Sequence, residues 1–408
     1  MPPDTPVLHD PRTYDRGFPY ETFRELRDAE PVAHREHPHW ELGYWNLTRH
    51  ADVQRTSRDT NFKNSPNPFL DDGSFAGGGD DGGTSELLIS LDAPRHTQLR
   101  KLVNRGFTPK RVADLTDRVE GRVQRLIDEL AGRTGCDLVE DLALWLPLHV
   151  IADLVGVPED DRKQVFDWTE ISFGFDPSYT PQQRMDAAMS MYAYADQMCE
   201  DRRANPRDDL MSVLLEAEVD GEQLTQMQLD LFFLLLQNAG SETTRNLITT
   251  GTLALLQHPD QLERLRADLE RLPVAIEELL RFVTPVMQFI RTAATDTEIA
   301  GTLIPAGGRV VLWYASANRD ERAFVDPDRL DLTREPNEHV AFGAGGPHFC
   351  LGASLARLEA RIMFEAILTR FEGLAVDADP DTLPRLYSNL IDGYTRLPVT
   401  WDRIKEAA

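Results

Sequence analysis

Helical periodicity, a scarcity of strand signals and the absence of a linker together predict a mainly α fold with a minor β region, held in one large domain over residues 1–408. Taking the elements in chain order, Asp71 to Thr84 reads DDGSFAGGGDDGGT, too Gly-rich and acidic to pack, and is expected to be a mobile surface loop. Val112, Leu115, Val119, Val123, Leu126, Ile127 and Leu130 then recur at three- and four-residue steps, the stripe of an amphipathic helix. Thr180 and Pro181 open another helix bearing Met185, Met189, Tyr192 and Met198, with Pro206 just past its end. The longest helix begins at Thr225, whose side chain can cap it while Gln228 reaches back and Leu224 and Leu229 staple the entry; it extends to about Gln257. Its middle is apolar nearly all round, which predicts burial inside the protein. Strand signals are confined to Glu298 to Ile304, the turn Pro305-Ala-Gly-Gly and Arg309 to Trp313, read as a hairpin, and to a strand near Tyr394 to Trp401. No Pro/Gly/Ser-rich stretch divides the chain into separate cores.

Acidic residues outnumber basic ones by 68 to 43, a formal charge of −25 that repels phosphate backbones and anionic membrane surfaces, so nucleic-acid binding is not expected. Cys136, Cys199 and Cys350 are an odd, widely spaced set and cannot form a disulfide framework. A reducing cytoplasm is the expected location. The first residues lack a basic segment followed by an apolar one, and the longest compact apolar run, Leu231 to Leu236, is far below the roughly 18 residues of a membrane span. Neither an export signal nor a membrane anchor is expected.

Three features carry possible chemistry. Cys350 lies in AFGAGGPHFCLGASLARLEARIMF, where a Gly-rich loop runs into a helix marked by Leu351, Leu355, Leu358 and Ile362. A sulfur at a helix N-terminus is expected to have a lowered pKa and to bind metal as the thiolate, and Gly343, Gly345 and Gly346 let backbone approach a flat ligand. Alone, such a residue is also explained as a small buried cysteine. Glu242 and Thr243, in the run Ala239-Gly240-Ser241-Glu242-Thr243-Thr244, put an acid beside an alcohol in an apolar helix, a pair able to relay protons into a dry site. Thr side chains also bond back to helix carbonyls and merely bend the helix. Glu278 and Arg281 stand three apart on one helix face, a spacing common in solvated surface pairs.

In this order and spacing, the three features resemble those of the cytochrome P-450 family of haem-thiolate monooxygenases. Further matches are Ala93-Pro94-Arg95-His96-Thr97-Gln98-Leu99-Arg100 followed by Phe107-Thr108-Pro109, and Ala317-Asn318-Arg319-Asp320 followed by Phe324-Val325-Asp326-Pro327-Asp328. Phe342 stands eight residues before Cys350, one more than the usual family loop. This longer loop and the run Glu242-Thr243-Thr244-Arg245-Asn246 resemble actinobacterial members that oxidise sterols and methyl-branched lipids. Pro347 within the loop donates no backbone hydrogen bond.

The resemblance implies a cytochrome P-450-type helical fold around a buried haem b, with Cys350 as the axial iron ligand. It implies that His96, Arg100, Arg291 and His348 hold the propionates, carboxylates suited to Arg and His donors. Glu242 would deliver protons and Thr243 would act beside the iron, at an irregular turn around Gly240. Glu278, Arg281 and Arg329 would form a buried structural network. The substrate pocket would draw on Leu87 to Ile89, Trp168 to Phe175, Leu235, Asn238, Val286 to Phe289 and Ser388 to Ile391, favouring a bulky hydrophobic compound such as a sterol, steroid or branched lipid. Terpenoids and macrolides fit the same description. The rival functions are a non-oxidative haem protein of the same fold, against which the retained Glu242 and Thr243 argue, and a peroxide-driven enzyme, which would not need that pair.

The implied reaction inserts one oxygen atom of O2 into a C–H bond with electrons from a separate ferredoxin and ferredoxin reductase, since no flavin or iron–sulfur pattern is fused to the chain. Arg95, Lys101, Arg105, Lys110 and Arg111, with Arg357 and Arg361, are the expected docking cations. Glu359 is the nearest carboxylate in sequence to the last two.

Overall fold

The structure, a computed structural model, describes residues 6–70, 86–173, 176–219 and 221–406; the expected mobile loop at Asp71 to Thr84 lies outside them. The fold is mainly helical with a small sheet region. Its axis is the helix Gln226–Gln257, which begins where the capping pair predicts. Thr225 Oγ1 accepts the Gln228 N–H at 3.3 Å, and Gln228 Oε1 accepts the Thr225 N–H at 3.1 Å. The helices Trp145–Val155, Pro181–Ala204, Leu272–Val283 and Ala353–Arg370 pack around it and cover its apolar circumference. It runs 32 residues without interruption, so the irregular turn expected at Gly240 is absent. Gly240 instead serves packing: a Cβ there would lie 3.1 Å from the Ile151 side chain.

The helix expected to open at Thr180 and Pro181 is Pro181–Ala204, on which Thr180 and Gln183 form a second reciprocal cap. The stripe from Val112 to Leu130 is buried throughout but is shared by two helices, Pro109–Ala113 and Thr116–Asp128. Its phase survives because Asp114 and Leu115, at the junction, stay in the right-handed helical region.

The strands depart further from expectation. Glu298 to Ile304 is itself a hairpin of Thr297–Ile299 and Thr302–Ile304, turning at Ala300 and Gly301, whose φ angles of 47° and 82° are those of a tight primed turn. Arg309–Trp313 does not pair with it. It lies parallel to Trp40–Leu47 and antiparallel to Gln288–Ala293, inside a five-stranded sheet edged by Val32–His37 and Phe62–Lys63. The expected strand near Tyr394 to Trp401 is Pro398–Thr400, paired with Gly135–Asp137 and Ala375–Val376.

Glu278 and Arg281 belong to the core, not to a solvated face. Both side chains have 0% exposure, and two parallel hydrogen bonds of 2.7 Å join them. Arg281 also donates to the carbonyls of Asn318 and Pro327 at 2.8 Å and of Arg329 at 3.2 Å. Glu278 accepts from the Asp331 N–H at 2.9 Å, Arg334 Nε at 3.0 Å and Asn337 Nδ2 at 3.1 Å. The second cation is therefore Arg334. Arg329, expected in that role, contributes its carbonyl and leaves its side chain in solvent. Sequence spacing could not separate these two arginines, because both follow the same buried turn.

Removing one member of a buried pair strands the other charge, so Arg281→Ala or Glu278→Ala should cost about 3–5 kcal/mol in urea unfolding of the protein. Arg329→Ala should stay within about 0.5 kcal/mol of the parent, as an exposed substitution does. A loss on Arg329→Ala equal to that on Arg334→Ala would contradict the network.

Candidate active site between the central helix and the cysteine loop

Every residue of the central helix from Leu229 to Leu255 is buried except Leu235, Ala239, Gly240 and Thr243. Steps of four, one and three place these four on one face. A helix enclosed by others can open a single stripe in its middle only toward a space inside the protein. Cys350 likewise presents open surface, yet burial pushes its thiol up. Both observations fit a sulfur on the wall of an interior space away from bulk water.

The loop before Cys350 uses left-handed backbone at Gly343, Gly345 and Gly346, with φ of 86°, 87° and 83°. A Cβ at Gly346 would fall 2.3 Å from the Ser57 carbonyl. Ser57 Oγ donates to the Gly345 carbonyl at 2.8 Å, and Arg58 Nε to that of Ala344 at 3.2 Å. Gly345 and Gly346 thus seat the loop on the helix His50–Arg58, whereas a Cβ at Gly343 would meet only the loop itself, 3.8 Å from the His348 carbonyl.

Downstream, the Cys350 N–H donates to the Phe342 carbonyl at 2.9 Å. The sulfur takes the Gly352 N–H, one residue before the helix Ala353–Arg370. The expected lowered thiol pKa is reversed: desolvation outweighs the Gly352 N–H and the charges of Arg100 and Arg357. Binding a metal would itself deprotonate such a thiol.

His96, Arg100, Arg291 and His348 come together. The rings of His96 and His348 lie 4.0 Å apart. His96 is 2% exposed, and its Nε2 has no hydrogen-bond partner. Burial, reinforced by His96, Arg291 and Arg100, pushes His348 down to about 2; burial and then Arg100 push His96 down to about 4. Arg100 donates to the Phe349 carbonyl at 2.5 Å and to Asn104 Oδ1 at 3.2 Å, and buried Arg291 to the Ile290 carbonyl at 2.7 Å. Among the described residues, neither arginine has a carboxylate partner. Two guanidiniums and two imidazoles converging without an anion suit a ligand with two carboxylates, and a haem has two.

Glu242 is buried and Thr243 half-buried. Thr243 Oγ1 donates to the Ala239 carbonyl at 3.3 Å, the back-bonding geometry that sequence alone also allowed. Arg245, one turn on, donates from Nη2 to Glu242 Oε2 at 2.5 Å and from Nη1 to Glu170 Oε1 at 3.3 Å. Burial pushes the Glu242 carboxyl up to about 7, Arg245 opposes this, and Glu170 adds to it. Neither neighbour belongs to the acid-alcohol motif: Arg245 carries an i,i+3 signal with Glu242, whereas Glu170 lies 72 residues away on the helix Arg162–Phe173 and carries none.

The expected substrate wall is partly formed. Val286 and Ile391 pair across an isolated bridge, and the Met287 N–H donates to the Leu390 carbonyl at 2.8 Å. Phe69, Leu386, Leu390 and Ile391 cluster against Ile89, Val286 and Phe289. Ser388 is buried, and its Oγ accepts the N–H groups of Leu390 and Ile391. Asn238 Nδ2 donates to the Leu234 carbonyl at 2.8 Å, while its Oδ1 is buried without a partner. Trp168 is half-buried, and positions 174 and 175 lie outside the described residues. Gly393, just past this wall, packs so closely on Asn246 of the central helix that a Cβ would fall 1.8 Å from its Oδ1.

A helical fold with a loop-borne cysteine facing an interior space and cationic donors beside it is the framework of a haem-thiolate oxygenase. The sequence profile described as Cytochrome P450 matches residues 147–389. A methyl-branched lipid omega-hydroxylase of Mycobacterium tuberculosis is 43% identical over 88% of this chain and 84% of its own length. A steroid C26-monooxygenase of Rhodococcus jostii is 40% identical over 96% and 84%. A solved Mycobacterium marinum cytochrome P450 in complex with pseudoionone superposes with a TM-score of 0.86 at 37% identity, covering 94% of both chains. The chain belongs to the cytochrome P450 family. It is a monooxygenase whose cofactor is a haem iron.

If the four donors hold the haem carboxylates, Arg291→Ala and His96→Ala should each release haem to apomyoglobin about ten- to hundredfold faster, as the loss of one charge-assisted hydrogen bond requires. Unchanged release in both variants would remove these residues from the cofactor site.

Proposed function

We propose that the chain works as a single haem domain that hydroxylates a methyl-branched lipid or steroid side chain, with Cys350 as iron ligand and His96, Arg100, Arg291 and His348 on the propionates. The observation that carries this reading is the open stripe at Leu235, Ala239, Gly240 and Thr243 on an otherwise enclosed helix. Small residues there leave room for substrate beside the alcohol. The relatives' names supply the substrate class, and apolar Ile89, Leu235, Val286 and Phe289, all half-buried, suit it.

When bound, the haem iron supplies oxygen activation, with thiolate donation favouring O–O cleavage. The protein's part is positional. Glu242, desolvated and near-neutral in its titration, holds a proton at its carboxyl, and the Thr243 hydroxyl can turn from the Ala239 carbonyl to pass one toward the interior space. The apolar wall excludes water and sets which carbon approaches the iron.

Cys350→His should lose the red-shifted Soret band of the ferrous carbonyl complex, whereas Thr243→Ala should keep it. Thr243→Ala should divert reducing equivalents to hydrogen peroxide, lowering product per NADH several-fold. A yield unchanged in Thr243→Ala would leave the alcohol as a helix-bending residue alone.

We also propose a cytoplasmic location and a ferredoxin as electron donor. The location rests on the three free cysteines, and among the described residues no helix is long and apolar enough to cross a membrane. The docking surface is narrower than the basic residues suggest. Arg357 is held by Glu277 through two 2.6 Å bonds and lies 4.5 Å over the Phe342 ring. Arg111 pairs with Asp208 and Arg361 with Glu365. Glu359, which stood as their neighbour in sequence, is instead buried in the core without a charge partner, its carboxyl pushed up to about 8 by burial.

Of the other four, Arg95 is half-buried, while Lys101, Arg105 and Lys110 are exposed and free of carboxylates among the described residues. Reversing charge at Lys101 and Arg105 together should slow reduction by an acidic ferredoxin about tenfold at low ionic strength, with the carbonyl spectrum unchanged. Equal rates for the double variant and the parent would place docking elsewhere.

A further inference from the structure

A monooxygenase consumes two protons with each O2, and these must reach an interior lined by the enclosed central helix. Glu242 has only 8% side-chain exposure and does not take them from bulk water directly. The next carboxylate on its helix, Asp230, is twelve residues back, about 18 Å along the axis, and hydrogen-bonds Gln226. Glu170 is different. It stands on the helix Arg162–Phe173 with 40% of its side chain exposed, and it hydrogen-bonds the Glu242 carboxyl while Arg245 bonds to both.

Charge counting gives this trio a purpose beyond tying two helices together. One guanidinium balances one carboxylate, so two ionised carboxylates would leave a net negative charge beside a nearly buried arginine. Retaining a proton between the carboxyls avoids that cost. Arg245 and Glu170 are the charged groups that act on Glu242.

We propose that Glu170 is the entry point for protons, passing them to Glu242 across the carboxyl pair that Arg245 holds in register; this rests on the monooxygenase reading above. In each transfer the Glu170 O–H breaks, an O–H forms on the Glu242 carboxylate, and Glu170 then takes a proton from solvent water. Glu242 gives its proton to the interior, so the pair returns to its starting charge with no net change in either residue.

The test uses the haem-loaded enzyme with phytanic acid as the methyl-branched probe and a heterologous ferredoxin and its reductase. Glu170→Gln keeps a hydrogen-bonding partner for Arg245 but cannot carry a proton. It should slow product formation about tenfold, below a full general-acid contribution, and raise the solvent deuterium isotope effect. The substrate-induced spectral shift should stay as in the parent, and Glu170→Asp should restore most of the rate.

A readout that needs no turnover accompanies this. The infrared band of the protonated Glu242 carboxyl, identified by its absence in Glu242→Gln, should titrate at lower pH in Glu170→Gln, because Glu170 helps hold that proton. An unchanged rate and isotope effect in an active parent would overturn the relay and leave the monooxygenase reading intact. Loss of the spectral shift together with the rate, without rescue by Glu170→Asp, would show a clamp between helices and overturn it as well. A parent that forms no product from any lipid or steroid would instead fail the functional reading, and the carboxyl titration would still decide the relay.

Discussion

A carboxylate and a guanidinium without solvent exposure stay ionised only while every remaining donor and acceptor on them is satisfied, and Glu278 with Arg281 meet that condition by gathering main chain from a distant segment. Arg281 fixes the carbonyls of Asn318 and Pro327; Asn318 in turn accepts the Val340 N–H through Oδ1 at 2.8 Å and donates to Thr284 Oγ1 at 2.9 Å. Two residues beyond Val340 stands Phe342, whose carbonyl takes the Cys350 N–H. The position of the sulfur is therefore inherited, through a few short bonds, from an ion pair on another helix. That arrangement explains why so costly a pair is kept: it converts a desolvation penalty into a fixed address for one side chain.

The second constraint is electrostatic and of opposite sign to the chain as a whole. A protein with a formal charge of −25 places two arginines and two histidines together inside itself. Without an anion their mutual repulsion, added to burial, drives the histidines to the neutral form; with two carboxylates among them, the same groups become a matched set. A cofactor holding its two carboxylates there would couple its binding to folding, since a ligand that binds only the folded chain stabilises it by mass action. The acidic exterior contributes nothing to that match.

Local signals in the sequence were reliable where the physics is local. Thr225 with Gln228, and Thr180 with Pro181, mark helix starts because a cap needs only a few neighbouring residues. The Cys350 loop and the Glu242-Thr243 pair were legible as motifs for the same reason. Partners far apart in sequence were not. Glu298 to Ile304 reads as one strand from its composition, yet its buried side chains change phase at the Ala300-Gly301 turn, with Ile299 on one side and Ile304 on the other, and the partners of Arg309–Trp313 include a strand more than 260 residues away. The thiol pKa was misjudged because the helix terminus is visible in sequence, whereas desolvation depends on everything folded over it. Arg334, Glu170 and the grip of Glu277 on Arg357 share that limitation.

The contact between Gly393 and Asn246 bears on how such a pocket could be remodelled in evolution. The segment carrying Leu390 and Ile391 is bolted, without space for even a methyl group, to the helix that bears Thr243, so that wall and the acid-alcohol pair form one rigid jaw. The helix Arg162–Phe173 touches the same central helix over a shorter stretch than Trp145–Val155 or Pro181–Ala204 does, and its polar tie to that helix at Arg245 is made by a half-exposed glutamate. Lineages that retain this skeleton can exchange one substrate for another by changing side chains on the rigid jaw or by tilting the compliant one. The compliant helix is the part in which the size and shape of the accepted molecule can drift while the oxygen chemistry stays in place.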